Sequence, residues 1–344
     1  MQLDESSLFE ALVRRRRELD GAFYFGVRTT GVFCRPSCGA RLPRRENVSF
    51  YASSDAALAA GFRPCKRCHP LERVGAAPAW VGALLAQLER SGAPLTARQM
   101  SAVGAHPARA ARWFQEHLGM SFHSFQHSLR LGASIDGLRS GASVGEAAAT
   151  AGFDSESGFR DAFRRALGDS PTRLGDDVRV LRLRRLVTPV GDVLLGACDD
   201  GLCLLEFLDR DALAGQLAAI RKTLGPGLSL GSHPLLDRGA RELERYFAGE
   251  LREFTTTLFA PGTPFEQQVW AQLRRIPFGA TVSYAQLATA IGRPSATRAV
   301  AGANGRNRIA IVIPCHRVIA ADGGLGGYAG GLWRKQRLLE LESR

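Results

Sequence analysis

The sequence predicts a multidomain protein of the α+β class, and three observations lead to this prediction. At 344 residues the chain is too long for one small hydrophobic core, so two or three domains are expected. Two close-set pairs of cysteines lie within the first 75 residues, beside a short aromatic strand pattern. Two helical repeats follow, and hairpin-like and helical patterns lie beyond them. These changes of pattern divide the chain into segments 1–75, 76–175, 176–260 and 261–344.

Composition narrows the class of protein. Apolar residues make up 45% of the chain, and no apolar run is long enough to cross a membrane or to form the core of a signal peptide. There are seven cysteines, an odd number, and four of them follow the spacings C-x-x-x-C and C-x-x-C. Such spacing favours metal-binding or catalytic thiols in a reducing compartment over a disulfide framework. We therefore expect a cytoplasmic protein with no membrane partner.

The net charge indicates a polyanionic partner. The chain carries a formal charge of +12 and has a pI near 10, which favours nucleic acid. Arginine outnumbers lysine 42 to 3, so a compositional bias is the alternative explanation. The charge is concentrated, however, at net +5 in 1–75 and +7 in 261–344, against +2 in 76–175 and −2 in 176–260. A uniform bias would not produce this distribution.

The cysteines of the first segment have the spacing of a closed metal site. One pair is separated by 26 residues from the other, and each pair can occupy one edge of a tetrahedron around Zn²⁺. Because 75 residues form only a small core, the metal would also contribute folding free energy. His69 is a further candidate, but four thiolates complete the coordination. The alternative is four unrelated cysteines. The predicted ligands are Cys34, Cys38, Cys65 and Cys68.

The second segment contains two helix-turn-helix patterns. The first runs from Leu95 to Leu118 with a turn at Gly104, and the second from Ser143 to Leu167 with a turn at Gly152 and a capping box at its start. We expect Gly132 to interrupt the helix that connects them. A plain helical bundle is the alternative. The basic side chains on the second helix of each pattern are DNA-contact candidates: Arg109, Arg112, Arg160 and Arg164.

The pattern of the third segment indicates a structural role and not a catalytic one. A hairpin is expected around Asp199-Asp200-Gly201, followed by amphipathic helices over 213–224 and 235–247. Cys198 and Cys203 lie on the strands of the hairpin, and we interpret both as core thiols.

The fourth segment carries a cysteine and a histidine in a setting that suits nucleophilic chemistry. An apolar stretch ends at Pro314 and is followed by Cys315-His316-Arg317. A thiol is a strong nucleophile only as the thiolate, and a neighbouring imidazole can accept its proton. A buried structural cysteine is the alternative. Upstream, residues 295–304 predict a helix of small residues, capped by Ser295 and bearing one long side chain, Arg298.

The motifs of the first two segments resemble known families. The stretch Phe33-Cys34-Arg35-Pro36-Ser37-Cys38, with Ala59-Ala60-Gly61-Phe62-Arg63-Pro64-Cys65-Lys66-Arg67-Cys68, resembles the zinc domain of the Ada adaptive-response family. That resemblance implies that Cys34 accepts a methyl group from a DNA phosphotriester and that Thr30, Arg41 and Arg63 contact the DNA backbone. Gly39 departs from it, since a basic residue is expected there. The helix-turn-helix patterns resemble AraC-type DNA-binding domains, which place two helices in successive major grooves.

The last segment resembles O6-alkylguanine-DNA alkyltransferases, on Pro314-Cys315-His316-Arg317-Val318 and on the helix of Arg298. The resemblance implies a ribonuclease-H-like subdomain followed by a winged-helix-like catalytic subdomain. It also implies that Cys315 accepts the alkyl group, that His316 deprotonates it through a water, and that Glu342 orients His316.

The same resemblance assigns three further side chains. Arg298 would fill the gap left by a flipped guanine, which is needed because O6 faces into the duplex. Tyr284 would rotate the phosphate and donate a proton to the departing guanine, and Asn307 would brace the loop of Cys315.

Together the motifs predict a DNA repair methyltransferase that also activates transcription. Each cysteine is expected to react once, on O6-methylguanine or O4-methylthymine at Cys315 and on methylphosphotriesters at Cys34, the latter switching on promoter binding. The partners would be alkylated and promoter DNA and RNA polymerase, for a monomer associated with the nucleoid, with Zn²⁺ and no organic cofactor. The alternatives are a repair protein without transcriptional output and a damage-sensing transcription factor with inert thiols.

Overall fold

A computed structural model describes residues 4–72, 74–92, 94–167, 169–175 and 178–344. The chain folds as two compact units. One contains the residues up to Ala76 together with Gln268–Asn307 and Ile313–Arg344, and the other contains Ala77–Gln267 and Arg308–Val312. Among the described residues, no helix combines the length and the apolar character needed to cross a membrane.

The first segment is a small four-stranded sheet with two helices. The sheet order is β3-β1-β2-β4, with β4 parallel to β2 and the other pairs antiparallel. Aromatic and β-branched residues favour the two central strands, and Ser53 caps the second helix through its side chain. The elements are α1 (Glu5–Val13), β1 (Tyr24–Val27), β2 (Val32–Cys34), β3 (Val48–Tyr51), α2 (Ser54–Ala59) and β4 (Arg63–Pro64).

The second segment is entirely helical. It comprises α3 (Ala79–Ser91), α4 (Ala97–Ala102), α5 (Pro107–Leu118), α6 (Phe122–Arg139), α7 (Val144–Thr150) and α8 (Glu156–Leu167). The helix pairs α4–α5 and α7–α8 turn at Gly104 and Gly152, whose backbones are left-handed at φ +75° and +71°. The predicted capping box is present at Ser143, whereas His106 begins α5 without a side-chain cap.

The expected interruption at Gly132 is wrong, because α6 continues from Phe122 to Arg139. A single glycine weakens a helix by about 1 kcal/mol relative to alanine, which does not end it when packing holds both of its sides. Close approach explains the glycine instead. A Cβ added there would lie 2.0 Å from the carbonyl oxygen of Leu228.

The third segment forms a second sheet with helices. The order is β7-β6-β5-β8, with β8 parallel to β5 and the remaining pairs antiparallel. Every residue of the two strands of the predicted hairpin is buried, so both faces of this part of the sheet are covered. The elements are β5 (Leu181–Thr188), β6 (Gly191–Cys198), β7 (Gly201–Phe207), α9 (Leu213–Leu224), β8 (Leu228–Leu230) and α10 (Pro234–Phe247).

The fourth segment contains α11 (Pro264–Leu273), β9 (Val282–Ser283), α12 (Tyr284–Ala290), α13 (Thr297–Gly305), β10 (Val318–Ile319) and α14 (Leu332–Glu342). Strands β9 and β10 pair in parallel. The expected cap at Ser295 is wrong, since Ser295 lies in a 3-10 turn and α13 begins after Ala296 without a side-chain cap. Residues 295 and 296, which the sequence analysis assigned to the helix, therefore belong to the turn.

The mixed, multidomain fold class predicted from the sequence is confirmed. The apolar core of the first segment includes Cys34 and Cys38 and is packed by Leu332 of α14, which belongs to the same unit. Helices α3 to α6 of the second segment share one core with the sheet of the third. The segment boundaries at 75, 175 and 260 remain predictions.

Candidate functional sites

Four cysteine sulfurs converge in the first segment. Cys34 ends β2, Cys38 follows in the next turn, and Cys65 and Cys68 come directly after β4. Because β4 pairs with β2, the sheet brings the two distant pairs together. The four Sγ atoms lie within 4.8 Å of one another. Sulfurs at zinc-bond length on a tetrahedron are about 3.8 Å apart, so the cluster fits Zn²⁺.

A second layer of polar contacts fixes this cluster. Asp20 is 6% exposed and accepts bonds from the Ser37 amide at 3.0 Å and the Ser37 hydroxyl at 2.5 Å, which holds the turn between Cys34 and Cys38. The backbone N–H groups of Arg35 and Arg67 donate to the sulfurs of Cys68 and Cys65 at 3.5 and 3.4 Å. Such amide donors stabilise thiolate ligands.

The ionisation state of the cluster depends on a cation. Hydrogen bonds with the Cys38 and Cys68 thiols, together with burial, raise the pKa of Cys34 above its ordinary value. Four close thiols cannot all ionise without a compensating positive charge, and a bound metal supplies that charge. Cys34 is 4% exposed, whereas Cys65 and Cys68 are half-buried. Exposure alone therefore does not single out Cys34 as an acceptor.

The predicted phosphate contacts of this segment lie at its surface. Thr30, Arg41 and Arg63 are all exposed. The sequence lacks a basic residue at Gly39, but the Arg67 guanidinium lies 3.6 Å from the position that a Cβ on Gly39 would take. A positive charge is thus present beside residue 39 after all. Sequence spacing did not reveal it, because Arg67 belongs to the opposite cysteine pair.

Cys315 begins a one-turn 3-10 helix and is buried, with 6% of its surface exposed. The amide nitrogen of Asn307 donates to the Cys315 sulfur at 3.2 Å and to the Ile313 carbonyl at 2.8 Å. A second buried amide, Asn304, donates to the Cys315 carbonyl at 3.4 Å. These donors hold the sulfur and the carbonyl of Cys315 in place.

His316, Glu342 and Arg317 form a fully buried network next to Cys315. The Nε2 of His316 lies 2.8 Å from a Glu342 oxygen, and Arg317 donates to both Glu342 oxygens at 2.8 and 3.0 Å. A third Arg317 nitrogen donates to the Ile276 carbonyl at 2.6 Å. Since the carboxylate accepts from Nε2, the hydrogen-bond network assigns the proton to that nitrogen and leaves Nδ1 with its lone pair.

Burial and pairing set the charge of each member of this network. Burial alone would raise the pKa of Glu342, but hydrogen bonds from His316 and Arg317 outweigh it and lower the pKa to about 2. Burial lowers the pKa of His316 below its ordinary value, although Glu342 opposes the shift. At neutral pH the carboxylate is therefore charged and the imidazole neutral. The buried Nδ1 of His316 has no hydrogen-bond partner within the described residues, so it can accept a proton.

Tyr284 and Lys335 both lie near Cys315 and both contact a glycine-rich loop, residues 323–331. Tyr284 begins α12 and donates to the Gly327 carbonyl at 3.4 Å. Burial raises the pKa of the Tyr284 hydroxyl, and the neighbouring Cys315 adds to the shift, so the phenol remains a proton donor at neutral pH. Lys335 is fully buried and donates to the carbonyls of Val318, Leu325 and Gly327, which closes the loop onto β10. Burial lowers its pKa to about 8.

Arg298 lies in the first turn of α13 and is exposed. The body of α13 is held by the indole of Trp270, which donates to the Ala303 carbonyl at 3.0 Å, and by Asn304. An exposed guanidinium thus projects from a helix whose inner face is fixed beside Cys315.

The helix-turn-helix arginines differ in how they are held. Arg109 donates to the Gly104 carbonyl and lies 5.0 Å from the ring centre of Trp80. Arg160 pairs with Glu156 at 3.3 Å, and Arg164 with Asp161 at 3.6 Å. Arg112 is exposed. These ion pairs are solvent-exposed and weak, so they do not prevent the arginines from turning to phosphate.

The sequence analysis assigned no function to three residues that the structure places at the Cys315 site: Arg317, Asn304 and Lys335. Arg317 was quoted as part of the motif without a function. One signal for Lys335 was available, since it is one of only three lysines in a chain rich in arginine.

Four protein-family models match the chain. They are the metal binding domain of Ada over residues 7–71, a helix-turn-helix domain over 100–187, and the ribonuclease-like and DNA-binding domains of 6-O-methylguanine DNA methyltransferase over 183–260 and 264–344. The first match and the four-sulfur cluster agree on a site for one Zn²⁺, held by Cys34, Cys38, Cys65 and Cys68.

Full-length relatives cover nearly the whole chain. The Escherichia coli bifunctional transcriptional activator/DNA repair enzyme Ada is 36% identical over 99% of this chain and 97% of its own length. The Salmonella typhimurium regulatory protein ada is 38% identical over 96% and 94%. The crystal structure of Mycobacterium tuberculosis O6-methylguanine methyltransferase is 40% identical, covers 47% of this chain and 93% of that chain, and has a TM-score of 0.42. The identity of the full-length relatives over almost their entire length shows that this chain belongs to the Ada family.

Proposed function

We propose that this chain transfers methyl groups from DNA to two of its own cysteines and regulates transcription according to the methylation state of one of them. The observation that carries the proposal is the arrangement at Cys315. A sulfur that accepts a hydrogen bond from Asn307 precedes a fully buried His316–Glu342 pair. A protein that only binds DNA needs no such pair.

At Cys315 the residues supply a proton acceptor and a proton donor. The Nδ1 lone pair of His316 accepts the thiol proton, directly or through a water, and the Glu342 carboxylate stabilises the imidazolium that results. The thiolate then attacks the methyl carbon of O6-methylguanine or O4-methylthymine, forming the S–C bond as the C–O bond breaks. Tyr284 is the donor that protonates the departing base. The thioether product has no easy leaving group, so each chain reacts once.

The base must leave the stack for this geometry to be reached. Cys315 is buried beneath α13, and a lesion inside a duplex cannot place its methyl carbon in line with the sulfur. Arg298 projects from α13 at the exposed surface and would occupy the gap in the stack.

At the zinc site Cys34 is the proposed second acceptor. Its thiolate would attack the methyl carbon of a phosphotriester, and the phosphodiester anion would leave. When bound, the metal keeps the sulfurs ionised at neutral pH. Donors that suit a DNA backbone are available on the exposed side chains of the same segment: Thr30, Arg41, Arg63 and Arg67.

Methylation of Cys34 changes the charge that DNA encounters. One thiolate becomes a neutral thioether, so the cluster loses one negative charge that repels phosphate. The helix pairs α4–α5 and α7–α8 would read promoter sequence through Arg109, Arg112, Arg160 and Arg164, while the methylated zinc segment adds backbone affinity. In this proposal the segments 1–75, 76–175, 176–260 and 261–344 are the functional modules.

Three further assignments complete the proposal. As an activator the protein would recruit RNA polymerase, act as a monomer and work in the cytoplasm at the nucleoid.

A repair protein without transcriptional output is the second candidate. The uncapped start of α5 at His106 favours it, because a weak first helix-turn-helix would limit promoter binding.

Replacing Cys315 by serine should abolish methyl uptake from DNA carrying O6-methylguanine and leave uptake from DNA carrying methylphosphotriesters intact. Serine lacks a thiolate, and Cys34 belongs to a different segment. Intact-protein mass spectrometry with peptide mapping locates and counts the methyl groups. Cys203→Ala is the control, since that buried thiol lies far along the chain from either motif, and it should behave as the parent. More than one base repaired per chain with excess substrate would contradict the single-use mechanism.

Replacing Glu342 by glutamine should slow methyl transfer at Cys315 about tenfold or more, because the developing imidazolium loses its carboxylate. In the parent the rate should be constant near neutral pH and fall only below the ordinary histidine range, since the neutral imidazole is the active form and its pKa is lowered. Single-turnover rates between about pH 5 and 8 measure both effects. Glu340→Gln, on the exposed side of α14, is the control. A parental rate for Glu342→Gln with an intact fold would rule out the proton path.

Replacing Arg298 by alanine should weaken capture of O6-methylguanine in duplex DNA more than in a single strand, because only the duplex has a gap to fill. The measurement is the rate of Cys315 methylation on matched duplex and single-stranded oligonucleotides at subsaturating concentration. Arg337→Ala removes an equally exposed charge from α14 and should affect both substrates alike. If Arg298→Ala lowered the methylation rate equally on both substrates, Arg298 would act only as a phosphate contact.

Methylation of Cys34 should strengthen binding to promoter DNA about tenfold or more. Removing one unit of repulsion at about 4 Å corresponds to roughly 1 to 4 kcal/mol, and each 1.4 kcal/mol is about tenfold in affinity. Titrations at two salt concentrations, on DNA selected from a random pool by the methylated protein, measure the gain and its decrease with salt. Protein methylated only at Cys315 is the control. Equal affinities of the Cys34-methylated and unmethylated forms would contradict the switch. DNA repair would then be the only function of residues 1–75.

A further inference from the structure

One buried amide contacts both Cys315 and Tyr284. Asn304 lies on the inner face of α13, and 6% of its surface is exposed. Its amide nitrogen donates to the Cys315 carbonyl at 3.4 Å. The same side chain forms a hydrogen bond with the Tyr284 hydroxyl. Because the nitrogen of a primary amide carries two hydrogens, one can serve the carbonyl and the other the phenol oxygen.

The direction of the bond between Asn304 and Tyr284 follows from the surrounding groups. The Tyr284 hydroxyl donates its own hydrogen to the Gly327 carbonyl at 3.4 Å, so its oxygen is left to accept. Burial and the neighbouring Cys315 raise the pKa of this hydroxyl, whereas the bond with Asn304 lowers it. A hydrogen bond lowers the pKa of an acid when it is donated to the charged form. The Asn304 amide therefore makes Tyr284 a stronger acid than burial alone would allow.

The oxygen of the same amide shows that packing does not explain this residue. The buried Oδ1 of Asn304 has no hydrogen-bond partner within the part of the chain that the structure describes. Such an atom costs free energy of folding, and an apolar side chain of similar size would avoid that cost. The other buried residues of α13, Val300 and Ala303, are apolar. The asparagine is therefore explained by what its N–H groups contact.

We propose that Asn304 is a positioning residue for methyl transfer to Cys315, which acts through Tyr284 by holding the phenol beside the cysteine turn and stabilising the phenolate. This inference deepens the proposed function and rests on it. The S–C bond forms as the C–O bond of the base breaks, and the electron pair of that C–O bond stays on the base. The Tyr284 proton neutralises the base, and the proton that His316 took from the Cys315 thiol returns to the phenolate.

Asn304→Leu removes both N–H donors and keeps a side chain of similar size. We expect it to slow methyl transfer from O6-methylguanine to Cys315 about tenfold or more, because the phenol becomes a weaker acid. Single-turnover rates of the full-length protein on duplex DNA measure the effect. Gln336→Leu makes the same change from amide to apolar side chain at an exposed position of α14 and should keep the parental rate.

Two outcomes of this measurement are distinct. A parental rate for Asn304→Leu would overturn the inference and leave the proposed function intact. A parent protein that takes up no methyl group at Cys315 would contradict the proposed function itself.

Alkylation of Cys315 by iodoacetamide separates an effect on Tyr284 from an effect on the sulfur. Iodide leaves without a proton, so this reaction needs the thiolate but no acid. Asn304→Leu should therefore keep the parental rate of alkylation at Cys315, which peptide mapping by mass spectrometry follows. A loss as large as that on O6-methylguanine would show that Asn304 acts on the cysteine, and the inference would be wrong.

A double-mutant cycle with Tyr284→Phe is the second test. If the amide acts through the phenol, Asn304→Leu should slow methyl transfer much less in the Tyr284→Phe background than in the parent. Equal losses in the two backgrounds would indicate a structural effect that is independent of Tyr284 and would refute the inference. If Asn304→Leu does not fold, Asn304→Ala, which adds no bulk, takes its place in all of these measurements.

Discussion

The site around Cys315 depends on one buried carboxylate. Glu342 lies on the last helix and accepts hydrogen bonds from His316 and Arg317, which follow Cys315 directly in sequence. An unpaired carboxylate at this depth would be strongly destabilising, so the pairing also draws the last helix against the Cys315 turn. The same contacts that fold the segment assign the proton on His316. The same three side chains, His316, Arg317 and Glu342, thus determine both the packing of α14 and the protonation of His316.

The two cysteine sites differ in the groups that surround the buried sulfur. At Cys315 the sulfur accepts an amide hydrogen bond, and the next residue is a neutral imidazole whose Nδ1 has no hydrogen-bond partner among the described residues. At Cys34 three other sulfurs lie within reach, and only a cation allows all of them to ionise. In the proposed function the first arrangement would serve a nucleophile that reacts once. The second would also change its charge by one on methylation, so that DNA binding could respond to it.

Two side chains outside the glycine-rich loop fix its backbone. This loop, residues 323–331, directly precedes α14. The ammonium group of Lys335 collects the carbonyls of Val318, Leu325 and Gly327, and Tyr284 donates to Gly327 as well. A single buried cation therefore organises the glycine-rich loop and its contact with β10. Its lowered pKa is the cost of this burial.

The sequence by itself determined the features that depend on short spacing. The cysteine pairs predicted the zinc site, the turn at Gly152 and the box at Ser143 predicted the second helix-turn-helix, and the motif at Cys315 predicted the family. Only the tertiary structure decided which distant residues meet. It placed Arg67 beside Gly39, Lys335 across the glycine-rich loop, and Gly132 against the backbone of Leu228, where the sequence had indicated a broken helix. Local periodicity records how a segment buries its own side chains, but it contains no information on which backbone will lie against it.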